Sequence, residues 1–343
     1  MKKIVIDKAG NYDRLQLKEF PDLKPGPGEI LIETCAIGVN FADCCVRMGV
    51  YSSAKEFIGW PITPGFEVSG VVKGIGEGVT RFQVGQNVIA VTFFGGYSTH
   101  VVVREGLVFP LPPTMTYEEG ASIPAIFLTA YYALFELAHP HPGDTILVHS
   151  AAGGVGSTLV QLGKQAGCKV VGVVGSSHKV DAVKELGADR VIDKSKADLW
   201  KEAKIFAPNG YDVVLDANGI ETLSESYNHL SAGGKLIVYG FHTMFSKGRG
   251  RPNWIKMAWN YLRTPRFNPL NMTNKNHSVM AFNLSYLFNK SHFLSEAMHT
   301  ILRSLEEKRI APPPITTFPL EKAADAHRSL ESGQSVGKLI LLS

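Results

Sequence analysis

Short apolar runs alternate with stretches of helical periodicity through the middle of the chain. Residues 145–149 and Lys169–Val174 are apolar and rich in β-branched side chains, a pattern typical of buried strands. Between them, apolar positions recur at helical spacing from Val155 until Gly167, which predicts a helix that ends at the glycine. Further strands are predicted at 190–193, 211–216 and 235–240, and a second helix at 178–186. Strands that alternate with helices predict an α/β fold with a doubly wound parallel sheet.

The first third of the chain has a different pattern, in which short apolar segments are separated by glycine and proline. Strands are predicted at 4–6, 29–36, 68–72, 87–91 and 98–103. Many short strands joined by glycine turns predict a β-rich, barrel-like domain. Residues 117–137 then show helical patterning before the first strand of the parallel sheet.

The turn between the first strand and helix of the parallel sheet is rich in glycine. Backbone N–H groups at a helix N-terminus lack partners within the helix, and the helix dipole favours an anion there. Gly153 permits close approach of a pyrophosphate, and Gly156 permits tight helix packing, although Ala151 replaces the first glycine of GxGxxG. The alternative is a tight turn that binds no phosphate. The strand–turn–helix context favours a dinucleotide site, for which the predicted residues are Ala152, Gly153, Gly154, Val155 and Gly156.

The end of the second strand indicates which dinucleotide is bound. A site that prefers NAD places a carboxylate there for the ribose hydroxyls, whereas this chain reads Gly175, Ser176 and then Lys179. Ser176 can donate to a 2′-phosphate, Lys179 can neutralise it, and Lys194 follows the third strand. These residues favour NADPH. The alternative is that both lysines are ordinary solvated side chains.

Length and composition limit the class of protein. A chain of 343 residues can form two domains, and its formal net charge of +4 is too small to indicate a nucleic-acid partner. Neither a secretory signal nor an apolar run of membrane-spanning length is recognised in the sequence. The four cysteines lack CxxC spacing and are predicted to be free thiols in a reducing cytoplasm.

Several segments resemble the medium-chain dehydrogenase/reductase superfamily. They are KPGPGEILIE at 24–33, GVNFADCCVRMGVY at 38–51, PGFEVSGVV at 64–72, VGQNVIA at 84–90, AAGGVG at 151–156, LGADRVID at 186–193 and GKLILL at 337–342. The resemblance implies a GroES-like catalytic domain at 1–121, completed by 286–343, and a Rossmann NADP-binding domain at 122–285.

Two positions separate this chain from the zinc members of that superfamily. Where their motifs supply a cysteine and a histidine to zinc, this sequence has Asn40 and Phe66, neither a suitable ligand. The segment that would carry four structural cysteines is also missing, so we predict no metal. The sequence is therefore similar to the quinone oxidoreductase branch, and in particular to its VAT-1-like subgroup. That branch implies hydride transfer from NADPH to a small quinone or enone.

The resemblance also implies catalytic residues. Tyr51 matches the family position that faces the nicotinamide, and Asn40 replaces a metal ligand. A phenol or amide donor stabilises the enolate-like oxygen that forms on hydride arrival. For Tyr51, an aromatic wall is an equal alternative. Asp43 is expected to tie its loop together by hydrogen bonds. The residues expected by resemblance to line the cofactor are Asn218, Phe241, His242, Phe282, Asn283 and Leu284.

A basic, aromatic insertion near 245–267 departs from the family. Between Glu225 and Glu296 there are nine Lys or Arg and no Asp or Glu. Such a segment suits a peripheral membrane contact, a partner surface or a lid, or else a solvated loop with a packed helix. No motif indicates nucleic acid. Two other functions remain open, a 2-enoyl thioester reductase and an NADPH-binding, membrane- or partner-associated protein with weak catalysis. A homodimer is expected.

Overall fold

The computed structural model describes residues 1–244 and 250–343, and these form two units. The first unit comprises Met1–Leu128, Gly250, Arg251 and Leu284–Ser343. The second comprises residues 129–244 and 252–283. The predicted division lay at residues 121 and 286, and the observed units divide after Leu128 and before Leu284.

Fifteen strands and twelve α-helices are found in the described part of the chain. The strands are β1 (Lys2–Val5), β2 (Gln16–Glu19), β3 (Glu29–Val39), β4 (Glu67–Ile75), β5 (Asn87–Val91), β6 (His100–Arg104), β7 (Val108–Pro110), β8 (Thr145–Val148), β9 (Lys169–Val174), β10 (Arg190–Asp193), β11 (Tyr211–Asp216), β12 (Leu230–Val238), β13 (Ser278–Ala281), β14 (Ile315–Pro319) and β15 (Lys338–Leu342). The helices are α1 (Phe41–Met48), α2 (Ser52–Phe57), α3 (Tyr117–Ser122), α4 (Pro124–Tyr131), α5 (Gly154–Gln165), α6 (Val180–Glu185), α7 (Leu199–Phe206), α8 (Leu223–Asn228), α9 (Trp254–Arg263), α10 (Pro269–Lys275), α11 (Ser291–Glu306) and α12 (Ala323–Ser332).

The second unit contains a six-stranded parallel sheet. Its strand order is β10-β9-β8-β11-β12-β13. The chain proceeds from β8 through β9 to β10 on one side, then crosses back to β11 on the other side of β8 and continues to β12 and β13. The predicted doubly wound sheet is therefore confirmed. The sequence did not predict β13, a four-residue edge strand whose only β-branched residue is Val279. In this order the carboxyl ends of all six strands lie at one edge, where open α/β sheets bind ligands.

The first unit contains a seven-stranded sheet around the long strand β3. One side of β3 pairs with β4, while the other side pairs with β6 at Glu29–Glu33 and with β15 at Ala36–Val39. Strand β15 therefore brings the C-terminal end of the chain into the N-terminal sheet. A separate hairpin of β1 and β2 completes the β-structure, and β2 and β7 were not predicted.

The predicted helix over 117–137 is interrupted. Pro124 begins α4 and, having no N–H, cannot continue the hydrogen-bond ladder of α3. The stretch ends in a π-helix at Tyr132–Ala138. Tyr117–Ala138 is long and apolar enough for a membrane span by length and composition, but 61% of its most apolar window is buried within the protein, as in a core helix.

The described part of the basic, aromatic insertion contains helix α9, and α10 follows the insertion. Residues 245–249 of that insertion, including Lys247 and Arg249, lie outside the described residues.

Candidate functional site

The glycine-rich turn of the second unit connects β8 to α5. Gly153 is the N-cap of α5, and its N–H donates to the Ser150 carbonyl at 2.9 Å. A Cβ on Gly156 would lie 2.2 Å from that same carbonyl oxygen, so only glycine fits where the first helical turn crosses the loop. The N–H groups of Gly154, Val155 and Gly156 belong to the first turn and have no acceptor within the helix. The predicted pyrophosphate residues therefore form a helix N-terminus at the ligand-binding edge of the sheet.

The ends of β9 and β10 form the second part of this edge. Ser176 and Lys179 are half-buried around a short 3₁₀ turn. A Cβ on Gly175 would lie 3.8 Å from Cε of Lys194, so this lysine side chain passes close to the end of β9. The structure therefore brings together the residues expected to hold the 2′-phosphate.

Asp193 is a carboxylate at this edge that sequence reasoning missed. Its Oδ2 accepts from the Ser177 hydroxyl at 2.6 Å, and its Oδ1 accepts from the Ser195 hydroxyl at 2.6 Å. These hydrogen bonds lower the pKa of Asp193, the Ser177 bond most. The sequence motif for a ribose-binding carboxylate applies to the end of β9, the second strand of the parallel sheet, whereas Asp193 ends the neighbouring strand, β10. Its position therefore differs from that of the ribose acceptor of an NAD site.

The end of β11 carries a buried carboxylate that shapes the loop around Asn218. One oxygen of Asp216 accepts the N–H of Asn218 at 2.7 Å, and the other accepts the hydroxyls of Thr222 and Ser226 at 2.7 and 2.9 Å. The Asn218 side chain is buried, and its Oδ1 accepts from Ser150 at 2.9 Å. It therefore links the glycine-rich turn to the β11 loop. The expected ribose contact of Asn218 stays a prediction.

The remaining cofactor candidates lie near the ends of β12 and β13. The Phe241 ring covers Gly219, where a Cβ would lie 2.6 Å from Phe241 Cδ1. His242 Nδ1 lies 2.8 Å from the Ala217 carbonyl, and burial lowers the pKa of this histidine. Phe282 follows β13 and packs on Tyr132 with ring centroids 4.8 Å apart, and Asn283 comes next in the chain. Leu284 begins the closing segment of the first unit.

In the first unit, a buried ion pair lies beside Asn40, one of the two positions at which the zinc members have a ligand. Lys338 Nζ lies 2.6 Å from Glu67 Oε1, with side chains 2% and 0% exposed. The Asn40 amide joins this pair, because its Nδ2 donates to Glu67 Oε1 at 2.8 Å and its Oδ1 accepts from Lys338 at 2.5 Å. The other Glu67 oxygen accepts the Ala125 N–H at 2.6 Å. A Cβ on Gly38 would lie 2.2 Å from Glu67 Oε1, so this glycine admits the carboxylate beside β3.

Asp43 ties the preceding loop together, as predicted. Its Oδ2 accepts the Asn40 N–H and its Oδ1 accepts the Gly65 N–H, both at 2.8 Å. The Tyr97 hydroxyl donates to Oδ2 at 3.3 Å. Asp43 is fully buried, and burial raises its pKa to about 7.

A buried chain of polar groups continues from Tyr97 into α12. The Tyr97 hydroxyl lies 3.1 Å from His327 Nε2, Arg47 Nε donates to His327 Nδ1 at 3.3 Å, and Arg47 forms an ion pair with Glu331. Cys44, His327 and Glu331 have potential metal-ligating atoms within 4.8 Å of one another. The guanidinium, however, already occupies the histidine and carboxylate, and burial raises the pKa of the Cys44 thiol. This arrangement does not suit a metal ion, which needs a thiolate and free lone pairs.

Tyr51 stands immediately before α2, with its hydroxyl and its ring in different contacts. Its hydroxyl lies 2.8 Å from Ser285 Oγ. Its ring meets Phe66 and Phe94 edge-on, with centroids 6.0 and 6.4 Å away. Ser285 is buried and lies 234 residues away in sequence, so nothing local in the sequence indicated it.

Further aromatic side chains extend this surface of the first unit. Phe93 packs on Phe94, Phe57 and Phe288 with centroids 4.9, 5.5 and 4.8 Å apart, and Phe57 also packs on Tyr286 at 5.4 Å. We call this group, together with Tyr51 and Phe66, the aromatic surface. Its polar edge is the Tyr51 hydroxyl.

Comparison with known proteins identifies the class. A family model described as "Alcohol dehydrogenase GroES-like domain" matches residues 26–113, and one described as "Zinc-binding dehydrogenase" matches residues 186–341. The GroES-like domain and the Rossmann-type parallel sheet make the chain a medium-chain dehydrogenase/reductase. At the two positions where the resemblance places a zinc-binding cysteine and histidine, this chain has the amide of Asn40 and the phenyl ring of Phe66.

Individual relatives define the branch. The quinone oxidoreductase of Rattus norvegicus is 32% identical, covering 100% of this chain and 98% of its own length. The synaptic vesicle membrane protein VAT-1 homolog of Homo sapiens is 33% identical, covering 99% of this chain and 86% of its own. The solved structure of Escherichia coli quinone oxidoreductase complexed with NADPH matches with a TM-score of 0.85 at 27% identity, covering 100% of both chains. The protein belongs to the quinone oxidoreductase branch of this family, in which NADP(H) is bound.

Proposed function

We propose that the protein is an NADPH-dependent reductase that delivers hydride to a quinone or to an α,β-unsaturated carbonyl. The observation that carries the proposal is the aromatic surface, with the Tyr51 hydroxyl at its edge. Planar unsaturated acceptors stack on exposed rings, here Phe57 and Tyr286, each 44% exposed. Phe66 and Phe94 are buried and pack against the Tyr51 ring, whose hydroxyl can donate to the carbonyl oxygen of such an acceptor. Alcohol oxidation is disfavoured because the residues at the ligand positions, Asn40 and Phe66, could not hold a Lewis acid.

The residues at the carboxyl edge of the parallel sheet fit NADPH. Gly156 lets the first turn of α5 pack closely on the Ser150 carbonyl, and the backbone N–H groups at this helix N-terminus suit a pyrophosphate. Lys194 passes over Gly175, and Lys179 lies in the adjoining turn, so two basic side chains lie where a 2′-phosphate would be bound. When bound, NADPH supplies the hydride.

The residues of the first unit act on the charge that hydride transfer creates. Negative charge develops on the acceptor oxygen, and a donor placed there lowers the barrier. If Tyr51 donates to that oxygen, the Ser285 hydroxyl donates in turn to Tyr51, so Ser285 orients the phenol. The Asn40 amide has one further N–H, because Glu67 occupies only the other.

Steady-state kinetics test this function. NADPH oxidation is followed with a simple quinone, a simple enone and crotonyl-CoA, each with and without EDTA. We expect turnover of the quinone or the enone that EDTA leaves unchanged. Turnover of crotonyl-CoA alone would instead establish an enoyl thioester reductase. Absence of NADPH oxidation with all three acceptors would refute the proposed enzyme and favour a binding protein.

We also propose that the protein forms a homodimer through its parallel sheet. Strand β13 is an edge strand that pairs only with β12 among the described strands. A free edge of this kind can pair with the same edge of a second copy about a two-fold axis. Light scattering at micromolar concentration should give twice the mass of the 37.4 kDa chain, and a single-chain mass would contradict the proposal.

A further inference from the structure

Helix α9 turns its apolar side to solvent. The exposed fractions of Trp254, Ile255, Trp259 and Leu262 are 63%, 85%, 61% and 71%. At 100° per residue these four side chains lie on one side of the helix. The buried residue of α9 is a polar one, Asn260. The polarity of this helix is therefore reversed relative to a helix that packs its apolar side onto a protein core.

The charged residues of the segment that carries this face are all basic. Lys256 and Arg263 flank the apolar side chains on α9 itself, and Arg266 and Lys275 follow. No Asp or Glu occurs in the sequence from 226 to 295. The segment therefore has no carboxylate of its own to neutralise these charges, and an anionic partner would gain from all of them.

We propose that α9 is an interfacial helix that binds the surface of an anionic lipid bilayer. An apolar face with tryptophans and leucine, bordered by lysine and arginine, is the pattern of helices that lie at the boundary between headgroups and acyl chains. The two tryptophans suit that boundary because each ring has an apolar body and one N–H donor. The basic side chains would then reach lipid phosphates and carboxylates. This inference is independent of the proposed reductase activity.

A second copy of the chain is the less suitable occupant. A two-fold interface places the same patch against itself. Lys256, Arg263 and Arg266 would then face their own copies, with no carboxylate in the segment to pair with them. Like charges brought together in an interface are destabilising, whereas the same charges strengthen binding to anionic lipid.

Vesicle sedimentation tests the proposal. The full-length protein is mixed with vesicles of phosphatidylcholine, or of phosphatidylcholine containing phosphatidylserine, at low and at physiological salt. We expect sedimentation with the anionic vesicles and little with the neutral ones. Each basic residue at the surface should contribute about fivefold to the partition coefficient. Arg263→Glu should therefore lower binding at least fivefold, and added salt should weaken the binding of the unmodified protein.

A matched pair of variants isolates the apolar face. Ile255→Glu places a charge on that face at its most exposed position, so the fold is retained. Ile205→Glu makes the same change on α7 of the same unit, where the side chain is 66% exposed. Only Ile255→Glu should abolish sedimentation, with NADPH affinity unchanged in both variants.

Three results would overturn the inference. One is equal binding to neutral and anionic vesicles. Another is equal binding by Ile255→Glu and Ile205→Glu. The third is failure of the unmodified protein to bind vesicles while Ile255→Glu lowers its mass in light scattering, which would show that the α9 face joins two protein chains.

Discussion

The buried ion pair between Lys338 and Glu67 should be essential to the stability of the first unit. Replacing Lys338 with methionine keeps much of the side-chain volume but removes the ammonium group. Glu67 would then retain only the Asn40 amide and the Ala125 N–H as donors. Breaking a fully buried pair by removing one partner costs about 3–5 kcal/mol, because an uncompensated charge stays buried. That loss is a large part of the roughly 5–15 kcal/mol that stabilises a folded domain.

The chain provides a control of the same chemistry on the surface. Lys73 and Glu33 form an ion pair in the same unit at 2.7 Å, with side chains 46% and 43% exposed. Solvent screens such a pair, so Lys73→Met should cost about 0–1 kcal/mol. The double variant Glu67→Gln with Lys338→Met removes both buried charges and should recover most of the stability lost in Lys338→Met.

Urea denaturation provides the measurement, with the unfolding midpoint and slope compared among the variants. Hydrogen exchange at the amides of β3 and β15 assigns any loss to the first unit, because these strands pair with each other near Lys338. A cost for Lys338→Met no larger than that for Lys73→Met would refute the reasoning. So would a double variant less stable than Lys338→Met alone.

Three further predictions concern the candidate site. Tyr51→Phe should lower kcat on an enone by a factor of roughly 10²–10³, the loss expected for one oxyanion donor, and should leave NADPH affinity unchanged. An unchanged kcat would mean that Tyr51 serves only as an aromatic wall. NADPH should bind more tightly than NADH, and Lys179→Ala should weaken NADPH by roughly 1–3 kcal/mol in isothermal titration; equal affinities in the unmodified protein would contradict this. The pKa of Asp43 is raised from 3.8 to about 7 in the folded protein, so between these pH values the folded chain keeps a proton that the unfolded chain releases. The free energy of unfolding should therefore fall as pH rises from 3.8 to 7, by up to about 4 kcal/mol. Asp43→Asn should remove that part of the pH dependence of the urea midpoint, and parallel curves for the two proteins would count against it.

The parallel sheet was predictable because its strands are buried on both faces. Strands such as β9 and β11 therefore consist of continuous apolar, β-branched runs, and their observed bounds agree with the predicted ones. Edge strands carry a weaker signal. Strand β13 has only one neighbour and no residue classed as buried, so its four residues lack the continuous apolar pattern.

The polar partners of the site were not predictable for a different reason. Lys338 meets Asn40 across 298 positions of the chain, and Tyr51 meets Ser285 across 234. A local pattern indicates that a residue is buried, but not which distant residue lies beside it. Asn40, Tyr51 and Asp43 could be selected because each stands in a recognisable motif. Lys338 stands in one too, as the second residue of GKLILL, but nothing in that motif indicates a buried charge.

The double variant Glu67→Gln with Lys338→Met also tests whether Asn40 is a catalytic donor. Lys338 and Glu67 together fix the amide, since one offers a donor to Oδ1 and the other an acceptor to Nδ2. In this double variant, most of the stability should recover. The amide of Asn40 should no longer be held in one orientation, because methionine offers no donor to its Oδ1. If Asn40 donates its free N–H to the acceptor oxygen, kcat on an enone should fall well below that of the unmodified protein, although the protein is as stable. Asn40→Ala in the unmodified background serves as the reference for complete loss of the donor. Full kcat in both would show that the amide serves only to hydrogen-bond the buried pair, and Tyr51 would be the remaining donor.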